Sequence, residues 1–438
     1  MVYTKQLISY LFLTGALIFS SVDSVSASPK LEVSDLILAA LDNDPSLRVA
    51  SARQDAAQMA QRSAKSQFWP TPSLGWQRIQ EGEDPSVNGD RSVAVIKLEQ
   101  PLWTGGRLTS NLERARSEVG LAEAETREAE HLLANRIIKA RSESLVASRK
   151  LNAQSDSLAR HERLLKMVER RLKEGASAQA DVALARSRIE LVSAEIMLLK
   201  AQRASALDRL RLFTGLNLQI EDLSLEFIRV NELEKDLASL IRMSEAISPQ
   251  ISKAQSALEV ARADVGAARA RIMPQLSVRY EHQEGNFTDA SVGNEDRVYL
   301  SFNTELGAGL SNLSDVGAAN ARSAAAQQGI ALQKRILAEQ VQSNLVIARA
   351  ANIRLRGLKS ASIASSEVLD SYERQFLAGR KQWLDLMNAA REQAQSEAQL
   401  ADAEGALELS SLKLKLFSGG VESLLNTQTL SMPERTSE

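Results

Sequence analysis

The chain's 438 residues include three histidines, His131, His161 and His282, and no cysteine. The histidines are isolated, and none stands at a metal-ligand spacing from another ligating side chain. No Gly-rich phosphate loop, nucleophile elbow or zinc motif occurs, and without cysteine neither thiol chemistry nor a disulfide is available. These residues predict no enzyme, no catalytic group, no metal and no cofactor. The remaining chemistry is electrostatic. The 53 Lys and Arg are matched by 55 Asp and Glu, for a net charge of −2. They are mixed along the chain, with no basic block for nucleic acid and no acidic tail. Most read as solvated helix faces or interhelix pairs. Two carboxylates stand apart by position: Asp181 follows Gly175, and Asp385 follows Gly379, each by six residues. In the first turn of a helix the macrodipole favours a carboxylate. Asn388, three residues past Asp385, shares its helix face.

The elements that position these residues are written twice. Pro45 recurs as Pro249, Pro70 as Pro274, Gly175 as Gly379, Asp181 as Asp385, Phe213 as Phe417 and Gly215 as Gly419, each 204 residues later. Proline and glycine punctuate helix ends and turns. Their shared offset therefore predicts a duplicated unit and a pseudo-symmetric molecule. Aromatic residues are only 4% of the chain, which favours long helices and coiled coils over a deep globular core. The proline-free windows 102–248 and 275–432 have room for them. Each window is expected to hold a long antiparallel helical hairpin, over 107–213 and 314–417. Gly175 and Gly379 would end the longer helices in left-handed caps. Further helices are expected from Pro45 and Pro249, with Asp44 and Ser248 as N-caps.

Between helices the period falls to two. Leu74 and Trp76, Ile96 and Leu98, Leu276, Val278 and Tyr280, and Val298, Leu300 and Phe302 mark four strands, over 71–80, 92–102, 275–284 and 297–304. They would pair as two hairpins around the polar loops Glu81–Arg91 and Glu284–Arg297. Four strands cannot close a barrel, and an open edge is costly in lipid and prone to aggregation in water. No spare amphipathic element remains to cover them. At the start of the chain, Lys5, the apolar run Leu7 to Phe19 and Val25-Ser26-Ala27 read as a secretory signal peptide over 1–27; the run is too short to span a bilayer. An exported chain with alternating, uncovered strands points to a barrel shared among subunits. The expected units are a first repeat over 28–215, an inter-repeat linker or equatorial segment over 216–247, a second repeat over 248–419 and a polar tail over 420–438.

Three stretches carry a family resemblance. They are Leu98-Glu-Gln-Pro-Leu-Trp-Thr-Gly-Gly-Arg107 with Ala115-Arg116-Ser117, Glu169 to Gly175 leading to Ala180-Asp181-Val182, and Tyr372 to Gly379 leading to Leu384-Asp385-Leu386-Met387-Asn388-Ala389. In this order they make the chain similar to the TolC-type outer-membrane factors, over essentially its whole mature length. The resemblance implies a mainly α fold with a small β part. Long hairpins would form a periplasmic α-barrel, and four strands per chain would contribute to a 12-stranded outer-membrane β-barrel in a homotrimer. It implies a location in the cell outer membrane, in contact with its lipid and reaching into the periplasm. It implies an exit duct for a tripartite export system, joined through a periplasmic adaptor to an inner-membrane transporter, here of the ATP-binding type.

The same resemblance assigns residues. The hairpin tips Gly175, Ala176, Ser177, Gly379, Arg380 and Lys381 would dock the adaptor. Asp181, Lys381, Asp385 and Asn388 would form the periplasmic gate, with Asp385 as a ring of three carboxylates and Lys381 available to pair with Asp181. Phe376 cannot donate a hydrogen bond, so one latch of the family gate would be missing. Trp69 and Trp103 would sit in an aromatic girdle at the membrane edge, and Trp383 would be buried between helices or at the tip. The second strand-to-helix junction, Thr304 to Leu310, lacks the Pro and Gly-Gly of the first, and Ala321-Arg322-Ser323 lies 206 residues from its counterpart. The two halves should therefore leave the barrel differently. The Tyr372–Ala389 stretch and the missing lipidation cysteine favour type I protein secretion, with a large adhesin as the expected cargo, over small-molecule efflux. A rival reading is a periplasmic coiled-coil protein with no pore.

Overall fold

The computed structural model describes residues 30–79, 89–224, 226–228, 231–304 and 307–426. The expected signal peptide, most of the loop 81–91 and residues 427–438 lie outside the described residues. Helix α1 (Val33–Asn43) leads into α2 (Pro45–Ser66), then strands β1 (Thr71–Arg78) and β2 (Ser92–Trp103), then α3 (Arg107–Lys173) and α4 (Gln179–Thr214). The second half repeats the order with α5 (Leu237–Ile247), α6 (Pro249–Arg271), β3 (Gln275–Glu284), β4 (Glu295–Asn303), α7 (Ser311–Leu377) and α8 (Trp383–Leu425).

The helix starts follow from their caps. The Asp44 carboxylate accepts the Ser46 N–H at 2.7 Å, and the Ser248 hydroxyl oxygen accepts the Ile251 N–H at 3.4 Å; Pro45 and Pro249 take the first helical position. The long helices α3 and α7 have 67 residues each, about 100 Å at ~1.5 Å per residue. Both end on a glycine with φ 72°. At the first end the Ala176 N–H bonds the Arg171 carbonyl and the Gly175 N–H bonds that of Leu172; at the second, Arg380 bonds Gln375 and Gly379 bonds Phe376. These paired bonds are Schellman motifs, which satisfy the last helical carbonyls and reverse the chain.

Several expected boundaries move. The first strand stops at Arg78, the second reaches Trp103, and the fourth runs from Glu295 to Asn303. Within the inter-repeat segment 216–247, Leu218, Leu223 and Ile228 are buried, Leu31 and Leu223 form a parallel bridge, and α5 follows. Helices α1 and α5 begin 204 residues apart, at Val33 and Leu237. They belong to the duplicated unit but start without proline or glycine, so punctuation alone does not reveal them. The tail begins later than residue 420, because α8 continues through a non-helical Gly420 to Leu425 and buries Leu424.

The two strand-to-helix junctions differ in length. Only Thr104 to Gly106 separates β2 from α3, whereas residues 304–310 separate β4 from α7. The helices still start 204 residues apart, so the extra residues are absorbed before α7. Ala115 is buried and Ala321 exposed, so these two similar triplets do not occupy equivalent places.

Helix α3 packs against α2, α4, α6 and α8, while α7 packs against α6 and α8. Near the sheet the layer is α2, α3, α6 and α7; near the tips it is α4, α3, α8 and α7. Leu133, Ile137 and Ile138 of α3 meet Leu36 and Ile37 of α1, Leu210 of α4 and Leu412 of α8 in the central core. A second core joins the two tips.

Candidate functional site

The four strands form one antiparallel sheet in the order β1-β2-β3-β4, so β1 and β4 are open edges. The register sorts their side chains onto two faces. Pro72 pairs with Leu98, Leu74 with Ile96 and Trp76 with Ala94. Leu98 pairs onward with Tyr280, and Tyr280 with Val298; Val278 pairs with Leu300 and Leu276 with Phe302. Nothing among the described residues covers this apolar face: Leu74 is 77% exposed and Leu300 69%. On β1 and β2 it extends to Trp76 and Ala94, but on β3 and β4 it gives way beyond Tyr280 and Val298 to His282 and Asp296. The apolar band thus crosses the strands obliquely.

The opposite face is mostly polar, with Val93, Val95 and Tyr299 among its members. It carries Ser73 and Gln77 of β1, Lys97 and Glu99 of β2, Ser277, Arg279 and Glu281 of β3, and Glu295, Arg297 and Ser301 of β4. Its charges pair: Arg279 Nη2 lies 2.8 Å from Glu99 Oε2, Lys97 Nζ lies 3.6 Å from Glu281 Oε2, and Arg297 pairs with Glu295. The Ser277 hydroxyl also donates to Glu99 Oε1 at 3.1 Å.

Trp69 and Trp103 stand at the helix end of this sheet. Trp69 lies in the turn after α2 and is 72% exposed; Trp103 is 50% exposed and pairs with Leu276 on the apolar face. A bulge sets its orientation, since the register shifts between Pro101 and Trp103.

At the far end, Gly175, Ala176, Gly379 and Arg380 are exposed, and Ser177 is half-buried. Beneath them Val168, Val182, Phe376, Trp383 and Leu386 pack together, tying the hairpins into one tip. Trp383 is buried against Phe376, with ring centroids 5.5 Å apart. The expected pairing of Lys381 with Asp181 is not made. Lys381 Nζ lies 3.4 Å from Asp385 and 4.1 Å from the centre of the Tyr372 ring. The Asp181 carboxylate accepts the Ala178 N–H at 3.1 Å, as a capping residue of α4. Both side chains are held by their own hairpins. The link between hairpins comes instead from Arg171, whose Nη1 donates to the Phe376 carbonyl at 3.3 Å with the guanidinium 4.8 Å from the Phe376 ring centre. Asp385 is half-buried and Asn388 exposed.

Residue-type reasoning passed over a fully buried ion pair midway along the molecule. Arg141 of α3 and Glu408 of α8 approach to 2.5 Å and are each 1% exposed. Arg141 also donates to the carbonyls of Ser224 and Glu226, and Glu408 accepts the Ile228 N–H at 3.0 Å. Burial pushes the Glu408 carboxyl up, against the pull of Arg141. The signal was present: Ile137, Arg141 and Leu145 fall at steps of four on one helix stripe, which marks position 141 as inward-facing.

Comparison with known proteins gives a consistent picture. The model of the family described as outer membrane efflux protein matches residues 36–216 and 240–420, two segments that start 204 residues apart. The outer membrane protein TolC of Vibrio cholerae serotype O1 is 23% identical over 385 residues, covering 86% of this chain and 88% of that one. The probable efflux pump outer membrane protein SepC of Pseudomonas putida is 28% identical over 260 residues, 56% of this chain and 52% of that one. Among solved structures, the outer-membrane channel OprN superposes with a TM-score of 0.77 at 22% identity, over 89% of both chains. The Campylobacter jejuni CmeC outer membrane channel gives 0.76 at 14% identity, over 95% of this chain and 94% of that one.

Proposed function

The chain belongs to the outer membrane efflux protein family, and we propose that three copies close their sheets into one 12-stranded barrel continuous with a tunnel of helical hairpins. The family places it in the outer membrane, extending into the periplasm. The observation that carries the assembly is the sheet with two different faces and two open edges. In lipid the edges must pair and the polar face must turn away from the acyl chains. Closure with two further copies meets both demands. The rim helices support it: Leu191, Met197 and Leu198 of α4 and Val346, Ile347 and Ile353 of α7 are exposed apolar side chains at the two margins of the helical layer. Detergent extraction followed by native mass measurement should give three chains, with heat needed to reduce them to one; a monomer with no heat-dependent mobility would refute the barrel.

In this reading the duct serves type I protein secretion, with a periplasmic adaptor and an ATP-binding exporter as partners. The stretch from Tyr372 to Ala389 and the likeness to TolC over most of both chains support it. A proton-driven pump for small molecules is the second reading, favoured by the relatives named as efflux pump components. Gene deletion separates them: loss of a secreted large protein with unchanged drug tolerance supports the first, and the reverse pattern the second.

The tips are the adaptor contact and the gate. Gly175, Ala176, Gly379 and Arg380 present an exposed rim flanked by the half-buried Ser177 and Lys381, and the Asp385 carboxylates of three chains would ring the aperture beside Asn388. Bulky replacements at Ala176 and Arg380 should abolish adaptor crosslinking. Asp181→Ala frees the first turn of α4 and should raise single-channel conductance; unchanged conductance would exclude Asp181 from the gate. Trp69 and Trp103 fit the girdle at the periplasmic edge of the bilayer.

A further inference from the structure

The polar face of the sheet holds three basic and three acidic side chains, and each is paired: Arg279 with Glu99, Lys97 with Glu281, and Arg297 with Glu295. No other Lys, Arg, His, Asp or Glu lies on that face within the described strands. The pairing is built, not incidental. Glu99 receives Arg279 through both Nε at 3.2 Å and Nη2 at 2.8 Å, and its second oxygen takes the Ser277 hydroxyl. Lys97, Glu99 and Arg279 line one recess of about 540 Å³ with Thr71 and Ser73; Arg107, which also borders it, is the first residue of α3, outside the strands, and is not part of the paired set. The first two pairs bridge β2 and β3, the strands where the first repeat meets the second.

We infer that these pairs are a self-cancelling set that makes the barrel wall indifferent to the sign of what passes, so charge discrimination is excluded from the barrel. The inference rests on the proposed pore, in which this face lines the lumen. A lone charge in a narrow lumen sets up a field felt across it, and three-fold repetition turns it into a ring. A pair with centres 3 to 4 Å apart projects, at about 10 Å, roughly a third of the potential of a lone charge. Screening at physiological salt, with a Debye length of about 8 Å, removes most of that remainder. A cargo of either charge thus meets a wall that neither traps nor repels it. The cost of unpairing is correspondingly large: removing one partner leaves three like charges in one ring.

The test is the reversal potential of the full chain in planar lipid bilayers under a potassium chloride gradient. Arg279→Gln exposes Glu99 and should shift selectivity towards cations. Glu99→Gln exposes Arg279 and should shift it towards anions by a comparable amount. The double variant should return to the native value. Lys97→Gln and Glu281→Gln form a second, independent pair with the same expected signs, should the first pair prevent assembly. Native channels whose single variants leave the reversal potential unmoved, or move it in one direction for both signs, overturn the inference alone. Native protein that produces no conductance steps removes the pore reading and this inference with it.

Discussion

Arg141 and Glu408 hold each other and the backbone of Ser224, Glu226 and Ile228 in a site closed to water. Removing one partner strands the other charge, a change that costs about 3–5 kcal/mol. Arg141→Met should therefore lower stability by that order in denaturant titration. Arg141→Met combined with Glu408→Leu should recover much of the loss, and a double variant as unstable as the single would show that the pair contributes more than charge compensation. His131 offers a pH test. Burial against Phe417 pushes its imidazole from the ordinary 6.5 down to about 4, against the pull of Glu128. The unfolded chain then binds the proton more readily than the folded one. Stability from the neutral ring is complete above pH 6.5 and is lost as pH falls towards 4, about 3 kcal/mol over that window. His131→Phe should flatten this part of the melting profile between pH 7 and pH 4; an unchanged slope would assign the acid sensitivity to other groups. None of Arg141, Glu408 and His131 was legible as a site, because residue type alone says nothing about what a distant helix brings to meet it.

At the scale of the element, the hairpin ends were the most legible feature and the helical margins the least. Gly175 and Gly379 take φ 72°, a conformation costly for any residue with a Cβ. Gly175→Val and Gly379→Val should each cost about 1–2 kcal/mol. Hydrogen exchange should place the loss in the last turns of α3 and α7, with the global melting midpoint little changed. Protection spread over the whole helix would contradict a local cap. Phe376→Ala removes both the ring under Arg171 and the partner of Trp383. It should cost about 3–5 kcal/mol and uncouple the two hairpins. Helices α1 and α5 escaped sequence reasoning because each is a short apolar-faced segment flanked by polar residues, a pattern equally consistent with a linker. Their burial against α3, α4, α7 and α8 makes them helices.

For the whole molecule, the two faces of the sheet impose opposite tolerances on neighbouring residues. Leu300→Arg puts a cation in the middle of the apolar face and should cost about 2–4 kcal/mol in the bilayer, seen as loss of heat-resistant trimer from the outer-membrane fraction. Ser301→Arg, one residue on, points to the polar face and should assemble normally. Equal loss for both would mean that the faces are assigned wrongly. The duplication at 204 residues gains a mechanical meaning at this scale. Two hairpin units per chain make a three-fold assembly quasi-six-fold along its tunnel, while the unequal junctions of 104–106 and 304–310 break that symmetry where helices meet sheet.

The duplication, the proline-free helical windows, the caps and the four alternating strands are written locally in the chain. Each of these is encoded within a few residues: a ring that locks φ, a missing Cβ, or a period of two or 3.6. Tertiary structure alone decided which surfaces meet. The 180 residues between Glu99 and Arg279, and the 267 between Arg141 and Glu408, lie beyond any local pattern. So do the link from Arg171 to Phe376 and the retention of Lys381 by Asp385. These depend on the relative rotation of long helices and on strand register, which only the packed chain sets.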